Sequence, residues 1–128
     1  NGVSAVEAIN DKNWIENEYL PLVQQRGKAV IDARGASSAA SAANAVIDTV
    51  KAVDNVTRPD DWFSAAIASD GSYDVPEGLI FGYPLKSNGQ GKIEIVQNIE
   101  LNDFAKSKIK ITTEELLSEK AAVEDLLT

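Results

Sequence analysis

The feature that most constrains the fold is a short polar segment, residues 87–91, with the sequence Ser-Asn-Gly-Gln-Gly. Asn-Gly between two strand-like stretches is a strong β-hairpin signal, because both residues tolerate the positive φ angles of a tight turn. The expected strands on either side are residues 79–84 and 92–97, and residues 62–69 form a third. We therefore expect three short strands in an antiparallel arrangement.

A helix is expected on the N-terminal side of these strands, over residues 11–33. Asp11 is a favoured residue for capping its start. Pro21 should break or kink it, because the proline ring clashes with the preceding turn. Gly35 is a suitable terminator, since glycine readily takes the left-handed conformation that ends many helices.

Two further helices follow from the spacing of apolar residues. Residues 38–53 carry one apolar stripe at spacings of three and four, and Ser37 or Ser38 would cap the start. Residues 102–127 form the last helix, although a capping-box pattern at residues 112–115 also allows a start there. From the residues alone, the chain is a soluble α+β domain.

Composition excludes several classes of function. The chain of 128 residues contains no His and no Cys, which removes a Ser-His-Asp triad, thiolate chemistry and His-ligated metal sites. No glycine-rich nucleotide fingerprint follows a strand. The formal net charge of −8 argues against binding to nucleic acid or to an anionic membrane. We therefore expect no catalytic residue and no metal site in this chain.

One cation deserves separate mention as a candidate ligand-binding residue. Arg34 lies at the predicted helix end beside the serine-rich stretch, where a guanidinium group could hold a carboxylate through two hydrogen bonds. Pairing with a nearby acidic side chain at the surface is the alternative, and it is the interpretation we favour.

Several long segments resemble malate dehydrogenases of the cytosolic, lactate dehydrogenase-like type. They occur in the family's order and spacing, and the similarity extends over residues 10–127. The stretches that carry it are residues 26–45 (RGKAVIDARGASSAASAANA), 69–73 (SDGSY), 75–79 (VPEGL), 95–97 (IVQ) and 102–105 (NDFA). The chain departs from the family at residues 57–61, where Gly-Thr-Pro-Glu-Gly is usual, and at Gly82-Tyr83, where Ser-Phe is common.

The resemblance implies a fold for this chain and assigns substrate binding and NAD binding to different domains of the enzyme. The fold is that of the lactate/malate dehydrogenase C-terminal domain, an antiparallel three-stranded sheet packed by long helices. Residues 1–128 would be the C-terminal substrate and dimerisation domain, without the N-terminal Rossmann domain that binds NAD. The chain begins with Asn1-Gly2, not Met, so we expect a fragment or a processed product.

The family's reaction is part of the tricarboxylic acid cycle and interconverts malate and oxaloacetate by hydride transfer with NAD. The His, Asp and Arg residues that move the proton and bind the carboxylates lie upstream in the family. The resemblance therefore implies a cytoplasmic homodimer whose isolated C-terminal domain is inactive and binds its own Rossmann domain.

The resemblance also assigns roles to three serines. Ser37 and Ser38 would line the substrate pocket, where small side chains leave room for the second carboxylate of a C4 dicarboxylate. Ser41 would lie beside the nicotinamide ring. The alternative is that these serines only cap and pack the helix.

Three functional hypotheses remain open at this stage. The first is the substrate-side domain of an NAD-dependent malate dehydrogenase. The second keeps the family but takes lactate or another 2-hydroxy acid as substrate, because specificity depends largely on an upstream loop. The third is a free-standing, non-catalytic interaction domain.

Overall fold

The computed structural model describes residues 3–126, which form two compact units. The first unit extends to Ala45 and the second begins at Val46, so the division falls inside one helix. Asn1 and Gly2, for which the sequence suggests a turn, lie outside the described residues, as does Leu127. Within residues 3–126, no helix is long and apolar enough to cross a membrane.

The first unit is helical. After a short helix α1 (Ala5–Ile9), the expected first long helix occurs as three consecutive segments: α2 (Lys12–Trp14), a π-helical turn (Ile15–Tyr19) and α3 (Leu20–Arg34). The Asp11 carboxylate accepts a hydrogen bond from the Trp14 amide at 2.9 Å, which confirms the predicted cap. Helix α1 was not predicted.

Pro21 does not break the helix. It lies in the first turn of α3, directly after the π-helical turn, and the backbone at Tyr19 and Leu20 remains in the right-handed helical region. A proline is tolerated in the first turn of an α-helix, because its missing N–H would have no partner there. Because the π-helical turn ends at Tyr19, Pro21 lies at the start of a new α-helical segment. The structure therefore shows a change from π-helix to α-helix where the sequence predicted a break or a kink.

Helix α3 ends as predicted at Gly35. This residue has φ of 70°, and its N–H donates to the carbonyl of Ile31 at 2.8 Å. The next helix, α4 (Ala39–Asp54), confirms the predicted helix over residues 38–53 with a shift of one residue at each end. Its apolar stripe is largely uncovered, since Val46 and Val50 are 62% and 61% exposed.

The second unit contains a three-stranded antiparallel sheet in the order β1-β2-β3. The strands are β1 (Phe63–Ala68), β2 (Ile80–Ser87) and β3 (Ile93–Ile95), with Phe63 opposite Leu85 and Ser87 opposite Ile93. Strand β2 continues three residues beyond the predicted end at Pro84. Proline lacks only the backbone N–H donor, and the carbonyl of Pro84 still accepts a hydrogen bond from the Val96 amide at 2.9 Å.

The predicted hairpin joins β2 to β3. The side-chain oxygen of Asn88 accepts hydrogen bonds from the Gln90 and Lys92 amides at 2.8 and 3.1 Å. Gly89 and Gly91 have φ of 68° and 86°. A Cβ at Gly89 would lie 3.0 Å from a methyl carbon of Val56, so close approach of another segment also requires glycine here.

Helix α5 (Asp103–Ala122) packs on the sheet. The side chain of Asn102 accepts a hydrogen bond from the Ala105 amide at 2.8 Å, so the predicted start at residue 102 is confirmed and the alternative start at residue 112 is wrong. The α-helix ends at Ala122, before the predicted end, and a 3₁₀ turn (Glu124–Leu126) follows it. Ile109 and Leu116 contact a core that consists of Val75, Leu79, Tyr83 and Leu85. The hydroxyl of the core residue Tyr83 is hydrogen-bonded to the Ser69 hydroxyl at 2.7 Å.

Candidate functional site

A groove in the first unit brings the three predicted site residues together. It has a volume of about 540 Å³. Its lining residues are small, apolar or hydroxyl-bearing, apart from one arginine: Arg26, Gly27, Val30, Ile31, Ser37, Ser38, Ser41, Ala42 and Ala45. Such a surface leaves space for a small ligand and offers a few polar groups that can orient it.

The local backbone explains why these residues meet. Helix α3 contributes one face, and the left-handed residue Gly35 ends that helix and reverses the chain. Helix α4 then begins at Ala39 and presents its first turns to the same groove. Gly27 keeps the groove open, because a Cβ built on it meets no atom within 4 Å.

The three serines place hydroxyl groups along the groove. The hydroxyls of Ser38 and Ser41 are hydrogen-bonded to each other, and Ser38 immediately precedes α4. Ser37 and Ser41 are exposed, whereas Ser38 is half-buried. A hydroxyl both donates and accepts, so these residues can bind a carboxylate or an amide equally well.

Arg26 is a lining residue that the sequence analysis did not single out. It lies on the same face of α3 as Val30, four residues later, and so faces the groove, whereas Arg34 is not among the lining residues. No sequence signal identified it, because Arg34 lies at the same spacing of four residues from Val30. The exposed guanidinium can bind a carboxylate with two parallel hydrogen bonds.

Perturbed acid–base groups lie elsewhere. Hydrogen bonds from Ser72 lower the pKa of Asp70, and the contact between Lys92 and Glu94 raises the pKa of the amine and lowers that of the carboxyl. All three residues belong to the second unit, Asp70 and Lys92 outside its strands and Glu94 within β3. Within residues 3–126, no group of three or more acidic side chains could hold a metal ion. The groove can therefore bind and orient a ligand, but it contains no group suited to proton transfer.

Comparison with protein-family models decides the identity of the fold. Residues 2–127 match the model described as lactate/malate dehydrogenase, alpha/beta C-terminal domain. This chain belongs to the lactate/malate dehydrogenase family. The match confirms the predicted family and the predicted fold class, an α+β domain with an antiparallel three-stranded sheet and helices.

Solved structures of family members agree with this assignment. A malate dehydrogenase from Naegleria fowleri is 40% identical over 98% of this chain, with a TM-score of 0.86. A lactate dehydrogenase from Trichomonas vaginalis, solved with NADH and oxamate, is 25% identical over 97% of the chain, with a TM-score of 0.85. A malate dehydrogenase from Salinibacter ruber shares the fold, with a TM-score of 0.73 over 96% of the chain at 23% identity.

The chain spans only part of these dehydrogenases. It covers 38% of the Naegleria and Trichomonas chains and 40% of the Salinibacter chain. The matched relatives include both malate and lactate dehydrogenases, so membership of the family leaves the choice of substrate open.

Small side chains and the Ser41 hydroxyl line the groove, and Arg26 is its one charged lining residue. A dinucleotide such as NAD also needs a site for its phosphates. The phosphates need backbone amides at the start of a helix that follows a strand, and the elements of residues 3–126 contain no strand-to-helix glycine-rich turn of that kind.

Proposed function

We propose that this chain is the substrate-side domain of an NAD-dependent malate dehydrogenase that interconverts malate and oxaloacetate. The observation that carries the proposal is the groove that joins Arg26 to Ser37, Ser38 and Ser41. The similarity to the Naegleria malate dehydrogenase, at 40% identity, supports the choice of substrate.

In this proposal the groove binds the half of the substrate that does not react. The Arg26 guanidinium forms charge-assisted hydrogen bonds to a carboxylate, in addition to those that the upstream Arg residues of the resembling family form. The hydroxyls of Ser37 and Ser38 bond to the remaining oxygen lone pairs of that carboxylate. The small side chains leave room for the second carboxylate of a C4 dicarboxylate. Binding here fixes the orientation of C2, which lowers the entropic part of the barrier to reaction.

NAD supplies the hydride acceptor or donor when bound. Ser41 lies in the first turn of α4 and lines the groove, where its hydroxyl can contact the edge of the nicotinamide ring. The backbone amides that bind the phosphates belong to the N-terminal Rossmann domain, which is the partner that this domain requires.

The proton must be moved by groups outside this chain, because the chain has no His. A His–Asp pair on the N-terminal side of the enzyme is the proposed proton carrier, as it is in the resembling family. The homodimeric state and the cytoplasmic location are parts of the same proposal, supported by the resemblance to the cytosolic type.

Lactate or another 2-hydroxy acid is the second candidate substrate. The specific observation in its favour is the similarity to the Trichomonas lactate dehydrogenase, solved with NADH and oxamate, at a TM-score of 0.85. Pyruvate lacks the second carboxylate, so it would gain less than oxaloacetate does from a guanidinium and two hydroxyls on this side.

The test is steady-state kinetics of the complete enzyme with Arg26→Gln. Hydrogen bonds to charged groups contribute about 1.5–3 kcal/mol, so kcat/KM for oxaloacetate should fall by about 10- to 150-fold. The matched control is Arg34→Gln, which removes the same charge outside the groove and should leave kcat/KM within about twofold, as surface substitutions usually do.

Two results would overturn the proposal. Equal losses of kcat/KM in the two arginine variants would mean that Arg26 contributes through the net charge of the protein and not through contact with the substrate in the groove. A complete enzyme that reduces pyruvate faster than oxaloacetate, with Arg26→Gln affecting both equally, would favour the lactate alternative.

A further inference from the structure

A second cavity lies in the second unit, away from the serine groove in sequence. It has a volume of about 810 Å³ and lies between the turn at residues 72–74, the segment 99–101 and the first half of α5. Tyr73, Ile99, Leu101 and Ile109 give it an apolar lining, and all four are partly buried. Its size falls in the range of small-molecule sites, which is about 300–1,000 Å³.

One side of this cavity is held in place by side-chain hydrogen bonds. The Tyr73 hydroxyl donates to the Val96 carbonyl at 2.5 Å and accepts from the Ile99 amide at 3.4 Å. The Gln97 amide donates to the Ser72 hydroxyl at 2.8 Å. These bonds tie the turn to the segment that leads into α5, so the cavity is formed before any ligand arrives.

The backbone around the cavity is strained. Tyr73 and Asp74 are consecutive residues with φ of 57° and 62°, and Asn98, beside Ile99, has φ of 63°. Asp and Asn adopt this region more readily than other residues with a Cβ, so the bulky Tyr73 is the uncommon one. Such strain concentrates at ligand-binding sites, where the surrounding structure maintains it.

A buried polar atom lies in the cavity's helical side. Thr113 lines the cavity and is 8% exposed, and its hydroxyl has no hydrogen-bond partner among the described residues. A buried hydroxyl without a partner is unfavourable. Threonine on a helix has two accessible rotamers, so the hydroxyl can turn toward a polar group that binds in the cavity.

The rim of the cavity carries unpaired charges of both signs. Asp74 lies in the turn at residues 72–74, Glu100 in the segment 99–101, and Lys106 on α5. None of these three residues forms an ion pair within residues 3–126. Lys110 and Glu114, also on the rim, already face each other at 3.8 Å. A lone anion would meet two free carboxylates, and a lone cation would meet the free ammonium of Lys106.

We propose that this cavity binds a small apolar zwitterion, of the class of amino acids with large apolar side chains. The apolar side chain lies against Tyr73, Leu101 and Ile109. The ligand's carboxylate pairs with Lys106, and its ammonium group pairs with Asp74 and Glu100. This site is independent of the dehydrogenase chemistry proposed for the serine groove.

The test is titration of the 128-residue chain with L-phenylalanine, followed by amide NMR spectra and by calorimetry. Saturable shifts should occur at the amides of Tyr73, Ile99 and Ile109. The probes 3-phenylpropanoate and 2-phenylethylamine each lack one charge and should bind about threefold to fivefold more weakly, since an exposed ion pair contributes at most about 1 kcal/mol.

Charge-removing variants on one helix give the matched control. Lys106→Gln should weaken binding of L-phenylalanine by about threefold to fivefold, whereas Lys120→Gln, on α5 but outside the cavity, should leave it unchanged. Thermal unfolding by circular dichroism checks that both variants fold. Absence of saturable shifts, equal binding of all three probes, or equal effects of the two lysine variants would each overturn the proposal.

Discussion

At the scale of single residues, Tyr83 shows how a buried hydroxyl is provided with partners. The Ser69 hydroxyl donates to the Val75 carbonyl at 2.9 Å and can therefore accept from the Tyr83 hydroxyl at 2.7 Å. The Ser72 carbonyl, at 3.3 Å, is a second acceptor for the Tyr83 hydroxyl. Tyr83 is 1% exposed, so its hydroxyl would be costly to bury without such partners.

The residue with the sharpest functional prediction is Ser37. In the complete enzyme, Ser37→Leu should raise the KM for oxaloacetate by about tenfold or more, because overpacking a confined site costs about 1–3 kcal/mol. Ser37→Ala keeps the space and loses one hydroxyl, so its effect should stay within about fivefold. An unchanged KM and kcat in the leucine variant would place Ser37 outside the substrate site.

Sequence patterns predicted the serines better than the arginine that accompanies them. The serines belong to a stretch whose resemblance to the family is specific, and the structure places Ser37, Ser38 and Ser41 along one groove. Arg34 was a candidate ligand-binding residue because it is next to that stretch in sequence. Helical spacing does not separate the two arginines, because Arg26 and Arg34 each lie four residues from Val30. The structure separates them, since Arg26 lines the groove and Arg34 does not.

At the scale of secondary-structure elements, the glycines of α3 have opposite roles. Gly27 is inside the helix with open space beside it, whereas Gly35 ends the helix with φ of 70°. Gly27→Ala should raise the free energy of unfolding of the helix by about 0.5–1 kcal/mol, because alanine loses less backbone entropy. Gly35→Ala should lower it by about 1–2 kcal/mol.

Chemical denaturation of both glycine variants, monitored by helical circular dichroism, checks this pair. In the complete enzyme, the methyl group of Gly27→Ala should also narrow the groove and raise the KM for oxaloacetate. Destabilisation by Gly27→Ala would show that the helix packs more tightly at this point than the free space around Gly27 implies.

Helix and strand boundaries were predictable where local chemistry sets them. Asp11 and Gly35 each act through a backbone hydrogen bond or conformation within a few residues, and each was predicted correctly from the sequence. The start of the last helix at residue 102 was also predicted, but the capping role of Asn102 was not. Pro21 was misjudged because a π-helical turn depends on hydrogen bonds with no sequence signature. Strand β2 extends past Pro84 because its neighbours on both sides continue to pair with it.

At the scale of the whole molecule, the apolar surface is distributed unevenly. Among residues 3–126, all four buried apolar residues belong to the second unit, and helices α1, α2 and α3 contain no buried residue. Large apolar side chains on the helices remain uncovered, among them Leu22 at 67% and Val46 at 62% exposure. Exposed apolar surface of this kind is typical of faces that pack against other protein, which agrees with a domain that works as part of a larger enzyme.

The most direct test of the central claim is oxaloacetate-dependent oxidation of NADH, measured with the purified 128-residue chain and with the complete enzyme under the same conditions. We predict no oxidation above the buffer rate for the chain alone, because it contains no His to move the proton and no phosphate cradle within its described residues. The complete enzyme should turn over. Measurable turnover by the chain alone would contradict the assignment of the chemistry to another part of the enzyme.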